Sequence, residues 1–307
     1  MQDIFIGVDV SKDWLDLCEP GRGEQRIANG GRELTAFARR AARQEAWVIF
    51  ESTGGYDRAL CEALERAGTR FSRVNPARAR DFARAIGAAA KTDRVDARML
   101  ALMGERLRPA LTEPTPQARR ALRAQAARRL QLVEMRKQEA TRLKQTANAE
   151  ACADIRSHIR LLDRRIVRVE ARITELVAED ETFADAERRL RTAPGIGPVV
   201  AAILIAELPE LGRLDRRAIA ALAGLAPVAR DSGKRIRSRA IAGGRPVIRR
   251  MLYLAALQAS LHHPRFKAFR ARLQDNGKAP KQAIIAVARK LLTILNAMIR
   301  TQTDFAT

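Results

Sequence analysis

The sequence contains few of the residues that build covalent or zinc-based scaffolds. Its 307 residues include three cysteines, Cys18, Cys61 and Cys152, which lie far apart and show no paired spacing. This spacing argues against a disulfide framework or a zinc site, so we expect the cysteines to serve packing. Aromatic residues make up only 4% of the chain. That scarcity argues against base stacking as the main mode of any nucleic-acid binding.

Long apolar runs are also missing. The longest, "VVAAILIAEL" and "LLTILNAMI", are shorter than a membrane-spanning helix requires, and the N-terminal residues lack the pattern of a signal peptide. We therefore expect a cytoplasmic protein with no membrane partner. Low-complexity tracts and long-period repeats are not visible either, and 47% hydrophobic residues suffice for two or three packed domains.

Basic residues, in contrast, are abundant. The chain has 57 Lys and Arg against 35 Asp and Glu, a formal net charge of +22. An excess of this size favours a polyanionic partner, with nucleic acid first among the candidates, over a basic surface kept only for solubility. We expect a DNA-binding protein associated with a bacterial nucleoid, held mainly by charge contacts to the phosphate backbone.

Residues 1–108 show the pattern of an α/β domain. Short apolar segments typical of strands occur at 4–10, 14–18, 24–30, 46–51 and 71–75. Three strands in succession predict an antiparallel meander, and the alternation of helix and strand that follows predicts parallel pairing. Two further helices, at 77–86 and about 92–107, are predicted to close the domain.

The rest of the chain is predicted to be helical. The stretch "RPALTEPTPQ" carries three prolines and is typical of a domain boundary. A linker and helical region over 109–188 follows, and then a compact helical domain over 189–307. In the second arm of the middle region apolar residues recur alternately four and three apart, at Ile155, Ile159, Leu162, Ile166, Val169, Ile173 and Leu176. This coiled-coil seam predicts either dimerisation or packing of the two arms as a hairpin.

Two acidic residues lie where an apolar residue would pack better. Asp9 interrupts the strand "IFIGVDV", and Glu51 ends the strand "AWVIFE". An unpaired carboxylate in a buried strand costs several kcal/mol, so such a group is usually paired, placed at the solvent end of the strand, or neutralised by a metal ion. We interpret two other acids, Asp13 and Asp16, as turn and surface residues.

A second pair of acids, Asp93 and Asp96, lies three residues apart within "KTDRVDARML" and therefore on one face of a helix. If all four acids converge, their oxygen atoms suit Mg²⁺ and metal-assisted phosphodiester chemistry. Each acid alone also has a structural explanation. Glu51 can accept hydrogen bonds from the nearby backbone amides of "STGG". Asp93 suits a helix start, and Asp96 can pair with Arg73, Arg94 or Arg98.

Three motifs, "GVDVSK", "FESTGGY" and "KTDRVDARMLA", together resemble the RuvC-like, ribonuclease-H-like domain of the insertion-sequence 110 family of transposases. The resemblance implies that the family's Asp-Glu-Asp-Asp pattern falls on Asp9, Glu51, Asp93 and Asp96, which would hold Mg²⁺. The first motif alone also resembles the phosphate loop of actin-like ATPases, but the sequence offers no second such loop.

The C-terminal part, from "PGIGPVVAAILIAEL" through "RDSGKRIRSRAIAGGRPVIRR", resembles the transposase domain of the same family, which implies that Ser232 is a nucleophile. A serine between Asp and Gly is, on its own, typical of a turn, and Ser238 and Tyr253 are competing nucleophiles. Basic side chains suited to offset phosphate charge follow Ser232; they are Lys234, Arg235, Arg237, Arg239 and Arg245.

The segment "PGIG" has a helical pattern on each side and resembles a helix-hairpin-helix. Its glycines, Gly195 and Gly197, would let backbone N–H groups approach a phosphate at a helix start. An ordinary turn between helices is the alternative.

The family resemblance implies more than the residues themselves do. It implies homodimers or homotetramers, active sites composed from two subunits, and a bridge RNA that selects target and donor DNA. Three other functions remain open from the sequence. They are a metal-dependent nuclease or junction resolvase without a covalent intermediate, an actin-like ATPase, and an architectural nucleic-acid binder.

Overall fold

The computed structural model describes residues 3–87, 93–228, 240–241 and 243–306, and for residues 93–95, 228 and 240 it describes the backbone only. The chain divides into two compact units, Met1–Pro114 and Thr115–Thr307. The first unit is a mixed α/β domain and the second is mostly helical, as the sequence predicts.

The first unit is built on a five-stranded sheet. Its strands are β1 (Phe5–Val10), β2 (Trp14–Glu19), β3 (Gly23–Ala28), β4 (Trp47–Glu51) and β5 (Arg70–Val74). Its helices are α1 (Gly31–Arg43), α2 (Arg58–Ala67), α3 (Pro76–Ala85) and α4 (Asp93–Leu107). The strand order is β3-β2-β1-β4-β5, in which β1, β2 and β3 pair antiparallel and β1, β4 and β5 pair parallel. The predicted meander and the predicted parallel part are both confirmed.

Helices cover both faces of this sheet. One face packs with α1 and α2 through residues such as Val8, Leu17 and Phe50. The other face packs with α3 and α4 through a smaller apolar cluster that includes Phe5 and Ile49. Because successive residues of a strand point to opposite faces, the odd-numbered residues of β1 and β4 all face α4.

The segment after α4 stays attached to the sheet of the first unit. Thr112 donates its backbone N–H to the Phe71 carbonyl and accepts a hydrogen bond from the Arg73 backbone through its hydroxyl oxygen. The Ser72 hydroxyl group lies 3.0 Å from the Pro109 carbonyl oxygen. These bonds occupy the outer edge of β5, so the chain stays with the sheet for several residues after the helix ends.

The second unit consists largely of helices around one core. They are α5 (Gln117–Gln145), α6 (Ala149–Ala178), α7 (Glu181–Arg191), α8 (Pro198–Glu207), α9 (Arg216–Leu222), α10 (Pro246–His262), α11 (Pro264–Asp275) and α12 (Pro280–Thr301), with a short ribbon of β6 (Pro227–Val228) and β7 (Ala240–Ile241). Leu122 of α5 and Ile173 of α6 share this core with Leu204 of α8 and Leu252 of α10. The further division of this unit at residue 189 stays a prediction.

The two long helices α5 and α6 pack against each other as a hairpin. Leu162 of the predicted seam is buried, and ion pairs join Arg129 to Glu170 and Arg136 to Asp163 between the two helices. Within the chain, then, the seam serves hairpin packing. Its use in a coiled-coil dimer stays a prediction.

Within the described residues, α12 is the one helix long and apolar enough to pass as a membrane span, so the prediction that no segment reaches this length is wrong. The run "LLTILNAMI" is only part of this helix, which also includes the apolar segment "AIIAVA". Half of its apolar window is buried inside the protein, and Val287, Leu291 and Leu295 lie in the core of the second unit. This packing is that of a core helix.

Candidate active site

Asp9 and Glu51 lie at neighbouring positions on two parallel strands. The register of β1 and β4 places Val8 beside Phe50, and the two acids are the next residue on each strand. Paired strands are about 4.8 Å apart, and both acids are odd-numbered, so their side chains share the face that α4 covers. Both are half-buried.

Helix α4 directs its first turn toward these two acids. A Cβ atom at Gly7 would lie 1.9 Å from the Ala97 carbonyl oxygen, and one at Gly104 would lie 2.8 Å from the Phe5 ring. The helix therefore runs antiparallel to β1, with its start near the Asp9 end of the strand. Asp93 is its first residue and Asp96 follows within the first turn. The backbone thus brings all four predicted acids to one end of the sheet.

The donor chemistry of this group suits a hard divalent cation, because carboxylate oxygens are the ligands that such ions prefer. Among the side chains that the structure describes, however, no three Asp, Glu, His or Cys residues form a group that could hold a metal ion. The Asp93 side chain is not among those described. The described side chains alone therefore form no metal site, and a site completed by Asp93 stays a prediction.

The prediction of Asp16 as a surface residue is wrong, because this residue is only 6% exposed. It lies directly opposite Asp9 in the β1–β2 register and accepts two hydrogen bonds of 2.9 Å from Arg26 of β3. The reason is geometric: residues paired across strands share a face, so Asp16 lies on the face of Asp9 and needs a cation there.

A second buried acid, Asp57, lies elsewhere in the same unit and pairs with Arg73. Arg73 is opposite Phe50 in the β4–β5 register and therefore points to the other face of the sheet from Glu51. The sequence allows Arg73 as a partner of Asp96. In the structure, however, its guanidinium pairs with Asp57 on the opposite face of the sheet.

The cysteines of this unit are poor nucleophiles. Burial raises the pKa of the Cys61 thiol to about 12, helped by the nearby Asp57. Burial and Glu24 also raise the pKa of the Cys18 thiol, although Arg98 opposes them. Both thiols therefore stay protonated at neutral pH, in keeping with the packing role predicted for the cysteines.

The predicted nucleophile, Ser232, lies outside the described residues, as do Ser238, Lys234, Arg235, Arg237 and Arg239. The chain leaves the described region from β6 and re-enters it at β7, which pair antiparallel with Val228 opposite Ala240. Both ends of the basic segment therefore start from one ribbon. Tyr253, the other predicted competitor, lies on α10 and packs against the core of the unit.

Arg245 is described, and its charge is already paired. Its guanidinium donates two hydrogen bonds of 2.6 Å to the Glu210 carboxylate and one of 2.7 Å to the Glu207 carbonyl oxygen. Burial would raise the pKa of Glu210, but the hydrogen bonds and charge of Arg245 outweigh it and hold that pKa below its ordinary value. A nucleic-acid contact by Arg245 stays a prediction, and this pairing gives the residue a structural role.

The two glycines of "PGIG" differ in their surroundings. Gly195 has φ +79°, and a Cβ atom there would lie 2.2 Å from the Ala255 carbonyl oxygen of α10. Gly197 caps the start of α8, and a Cβ atom there would meet nothing within 4 Å. Close packing against α10 thus accounts for Gly195, while Gly197 leaves a helix start open to a ligand.

Comparison with protein-family models gives two matches. Residues 6–151 match a transposase model named for the Asp-Glu-Asp-Asp pattern and IS110. Residues 187–271 match the model of the transposase IS116/IS110/IS902 family. The first match includes all four predicted acids, and the second includes Ser232 and the basic residues after it.

Similar proteins are found among curated sequences. The pilin gene-inverting protein of Moraxella bovis is 29% identical over 322 residues, which cover 99% of this chain and 98% of that protein. The IS900 uncharacterized 42 kDa protein of Mycobacterium paratuberculosis is 34% identical over 41% of this chain and 34% of its own length. The IS116 uncharacterized 44.8 kDa protein of Streptomyces clavuligerus is 30% identical over 41% of this chain and 35% of its own length.

Proposed function

The chain belongs to the IS110 family of transposases, and we propose that it cuts and rejoins DNA with an acidic metal site and a serine nucleophile. Family membership makes it a DNA-binding transposase or recombinase. The acids of the proposed site are Asp9, Glu51, Asp93 and Asp96, and the proposed nucleophile is Ser232.

The observation that best supports the metal site is the side-by-side position of Asp9 and Glu51 at the strand ends toward which α4 starts. The Asp-Glu-Asp-Asp family model also favours dependence on a divalent metal ion. We propose Mg²⁺. When bound, it would offset negative charge on the phosphate and on the oxygens that attack and leave. The protein's own part is to hold the carboxylates ionised, close together and partly shielded from water.

The serine step that we propose conserves the energy of the DNA phosphodiester. The Ser232 oxygen forms a bond to phosphorus as one DNA P–O bond breaks; the hydroxyl proton passes to a base, and the leaving DNA oxygen is protonated. A DNA hydroxyl can then attack the phosphoserine, which restores the serine and joins the new strand. Lys234 and Arg235 are proposed to offset the charge of the phosphate.

A specific likeness favours rejoining over simple hydrolysis. The Moraxella bovis protein is named for inverting a pilin gene, and the similarity extends over almost all of both chains. Inversion of a gene requires that cut ends be joined again. We propose the same conservative chemistry here, in place of the hydrolysis expected of a nuclease.

The partners that we propose beyond DNA are a bridge RNA and further copies of the chain, as a dimer or tetramer in the bacterial nucleoid. The excess of 57 basic over 35 acidic residues supports binding to polyanions of either kind. Sequencing the nucleic acid that co-purifies with the protein tests the RNA: one discrete species is expected, and random fragments would remove it from the proposal.

The covalent step is tested by trapping. Wild-type protein is incubated with labelled DNA substrate and Mg²⁺, then denatured, and labelled protein is sought by gel and mass spectrometry. We expect an adduct on Ser232, and we expect Ser232→Ala to lose both adduct and strand exchange. Ser238→Ala is the matched control in the same basic segment. If the wild type forms no adduct and Ser232→Ala still cleaves DNA strands, the alternative of a metal-dependent nuclease without a covalent intermediate is favoured.

A further inference from the structure

The outer face of helix α6 carries a row of four arginines, which we call the α6 arginine row. They recur at every fourth residue and are all exposed; they are Arg156, Arg160, Arg164 and Arg168. Leu162 of the seam is buried, and Arg160 and Arg164 each lie two residues from it, which is about 200° around the helix. The row therefore faces away from the seam that packs against α5.

The charge of the row is not offset by acids in the part of the chain that the structure describes. Asp163 is the one acid within this stretch of sequence, and it pairs with Arg136 of α5. No described residue forms an ion pair or hydrogen bond with a guanidinium group of the row. The next arginine at the same spacing differs, because Arg172 pairs with Glu175 and Glu179 at 2.8 Å.

This arrangement is unfavourable for the helix itself. Like charges four residues apart on a helix repel each other and destabilise it. The row also lies before the α6 residues that join or pack against the core of the unit, which are Val169, Ile173, Leu176 and Val177. Neither pairing nor core packing accounts for the row, whereas a polyanion bound along it would offset the repulsion.

We propose that the α6 arginine row binds the phosphate backbone of duplex DNA. Successive arginines are about 6 Å apart along the helix axis, so the row extends over about 18 Å. A DNA duplex of that length carries about five phosphates on each strand, enough for each guanidinium group to contact one. Membership of a transposase family makes DNA the partner to which this proposal commits.

Two other ligands fit the row less well. Residues 156–168 contain no Phe, Trp or Tyr, so this face offers no aromatic ring on which an unpaired base could stack. A second copy of the chain bound through the same face would bring two rows of arginines together, which like-charge repulsion opposes. Duplex DNA requires only charge contacts to its backbone. The inference depends on neither the acidic site nor Ser232.

The row variant replaces all four arginines with glutamine, which also favours a helix. Its affinity for duplex DNA at about 0.1 M salt should fall at least about 10-fold. The slope of log K against log salt concentration should decrease in magnitude by about 3 to 4, because each phosphate contact contributes about 0.9. The unfolding temperature should stay equal or rise, since repulsion along the helix is removed. A purely structural row would instead lower it.

The control variant loses the same number of charges from exposed ion pairs. Each arginine that it replaces pairs with an acid three or four residues away; the changes are Arg58→Gln, Arg172→Gln, Arg188→Gln and Arg191→Gln. Net charge falls equally in both variants, so any difference between them reports the position of the charges. The control should keep its salt slope within about 1 of that of the wild type.

The test measures fluorescence anisotropy of a labelled DNA duplex with the full-length proteins at several salt concentrations, without divalent ions so that binding is separated from cleavage. Thermal unfolding is followed in parallel. Loss of affinity and of salt slope in the row variant alone supports the proposal. Equal losses in both variants would mean that net charge alone matters, and the inference would be wrong.

Three further results would also overturn the inference. One is unchanged DNA binding by the row variant, and another is a wild type that binds no DNA. The third comes from repeating the titration with an RNA duplex of the same sequence: a loss confined to RNA would assign the row to RNA in place of DNA.

Discussion

The carbonyl oxygen of Ala97 approaches Gly7 so closely that a methyl group at Gly7 would come within 1.9 Å of it. No side chain fits between the strand and the helix at this point. The contact seats α4 directly on β1, and the antiparallel direction of the helix then carries its first turn to the Asp9 end of the strand. A glycine two residues before Asp9 on the same strand thus helps to determine where two of the four acids lie.

Gly7→Ala is expected to destabilise the first unit and to weaken metal binding. The added methyl group must push α4 away from the sheet, and overpacking of this kind costs about 1–3 kcal/mol. Urea unfolding should show the loss, and Mn²⁺ titration should show weaker binding. Gly30→Ala is the control, because a Cβ atom there meets nothing within 4 Å. Equal behaviour of the two variants would contradict the close seating of the helix.

We expect the carboxylates of Asp9 and Glu51 to be required for strand transfer but not for DNA binding. Asp9→Asn and Glu51→Gln keep the shape of each side chain but remove a charged ligand, so strand transfer should fall by at least about 100-fold. DNA affinity in a gel-shift assay should change little, because the basic residues dominate it. Asp13→Asn, in the exposed turn after β1, is the control. Normal strand transfer by either site variant would remove that residue from the site.

Much of the first unit could be predicted from its sequence, because apolar strand segments and helical periodicity are local signals. The acids Asp9 and Glu51 were recognisable as charges within apolar strands. Asp16 was not, although the information was present: the tight turn between β1 and β2 fixes the register, and that register places Asp16 opposite Asp9. The Arg26 pairing depends on a third strand, which no local pattern reports.

The second unit was less predictable, because its decisive contacts join distant segments. The seam of α6 could serve a dimer or a hairpin, and only the packing of α5 against it shows the contact within the chain. The role of Gly195 depends on Ala255, and that of Arg245 depends on Glu210. Pairings of this kind have no signature in spacing or composition.

Gly195 and Gly197 are expected to respond differently to alanine. Gly195→Ala introduces a clash with α10 and a strained backbone at φ +79°, so the unfolding temperature should fall by several degrees. Gly197→Ala has space for its methyl group and should remain as stable as the wild type. A loss of non-sequence-specific DNA affinity in Gly197→Ala alone would support a phosphate contact at the start of α8. Unchanged affinity would leave "PGIG" as a turn between helices.

The seam residues of α6 are expected to stabilise the fold, because they pack within the α5–α6 hairpin. Leu162 is 2% exposed, so Leu162→Lys buries a charge and should cost several kcal/mol of unfolding free energy, measured by urea denaturation. Val167→Lys is the control on the same helix, since Val167 is 65% exposed. Light scattering on both variants separates the alternatives. A smaller oligomer without loss of stability in Leu162→Lys would assign the seam to a contact between chains.

The Arg245–Glu210 pair makes a pH-dependent contribution to stability. Because the folded pKa of Glu210 lies below its ordinary value of 4.5, the pair stabilises the fold fully above that pH and loses its effect as pH falls through the folded pKa. Both side chains are about one-third exposed, so we expect a coupling free energy of about 1 kcal/mol at neutral pH.

A double-mutant cycle of Glu210→Gln, Arg245→Gln and the double variant, measured by urea unfolding at several pH values, isolates this coupling. It should decrease as the pH falls below 4.5 and through the folded pKa of Glu210, since protonated Glu210 no longer attracts the guanidinium more than glutamine does. A coupling that stays constant with pH would mean that hydrogen bonding or packing, and not the carboxylate charge, holds the two segments together.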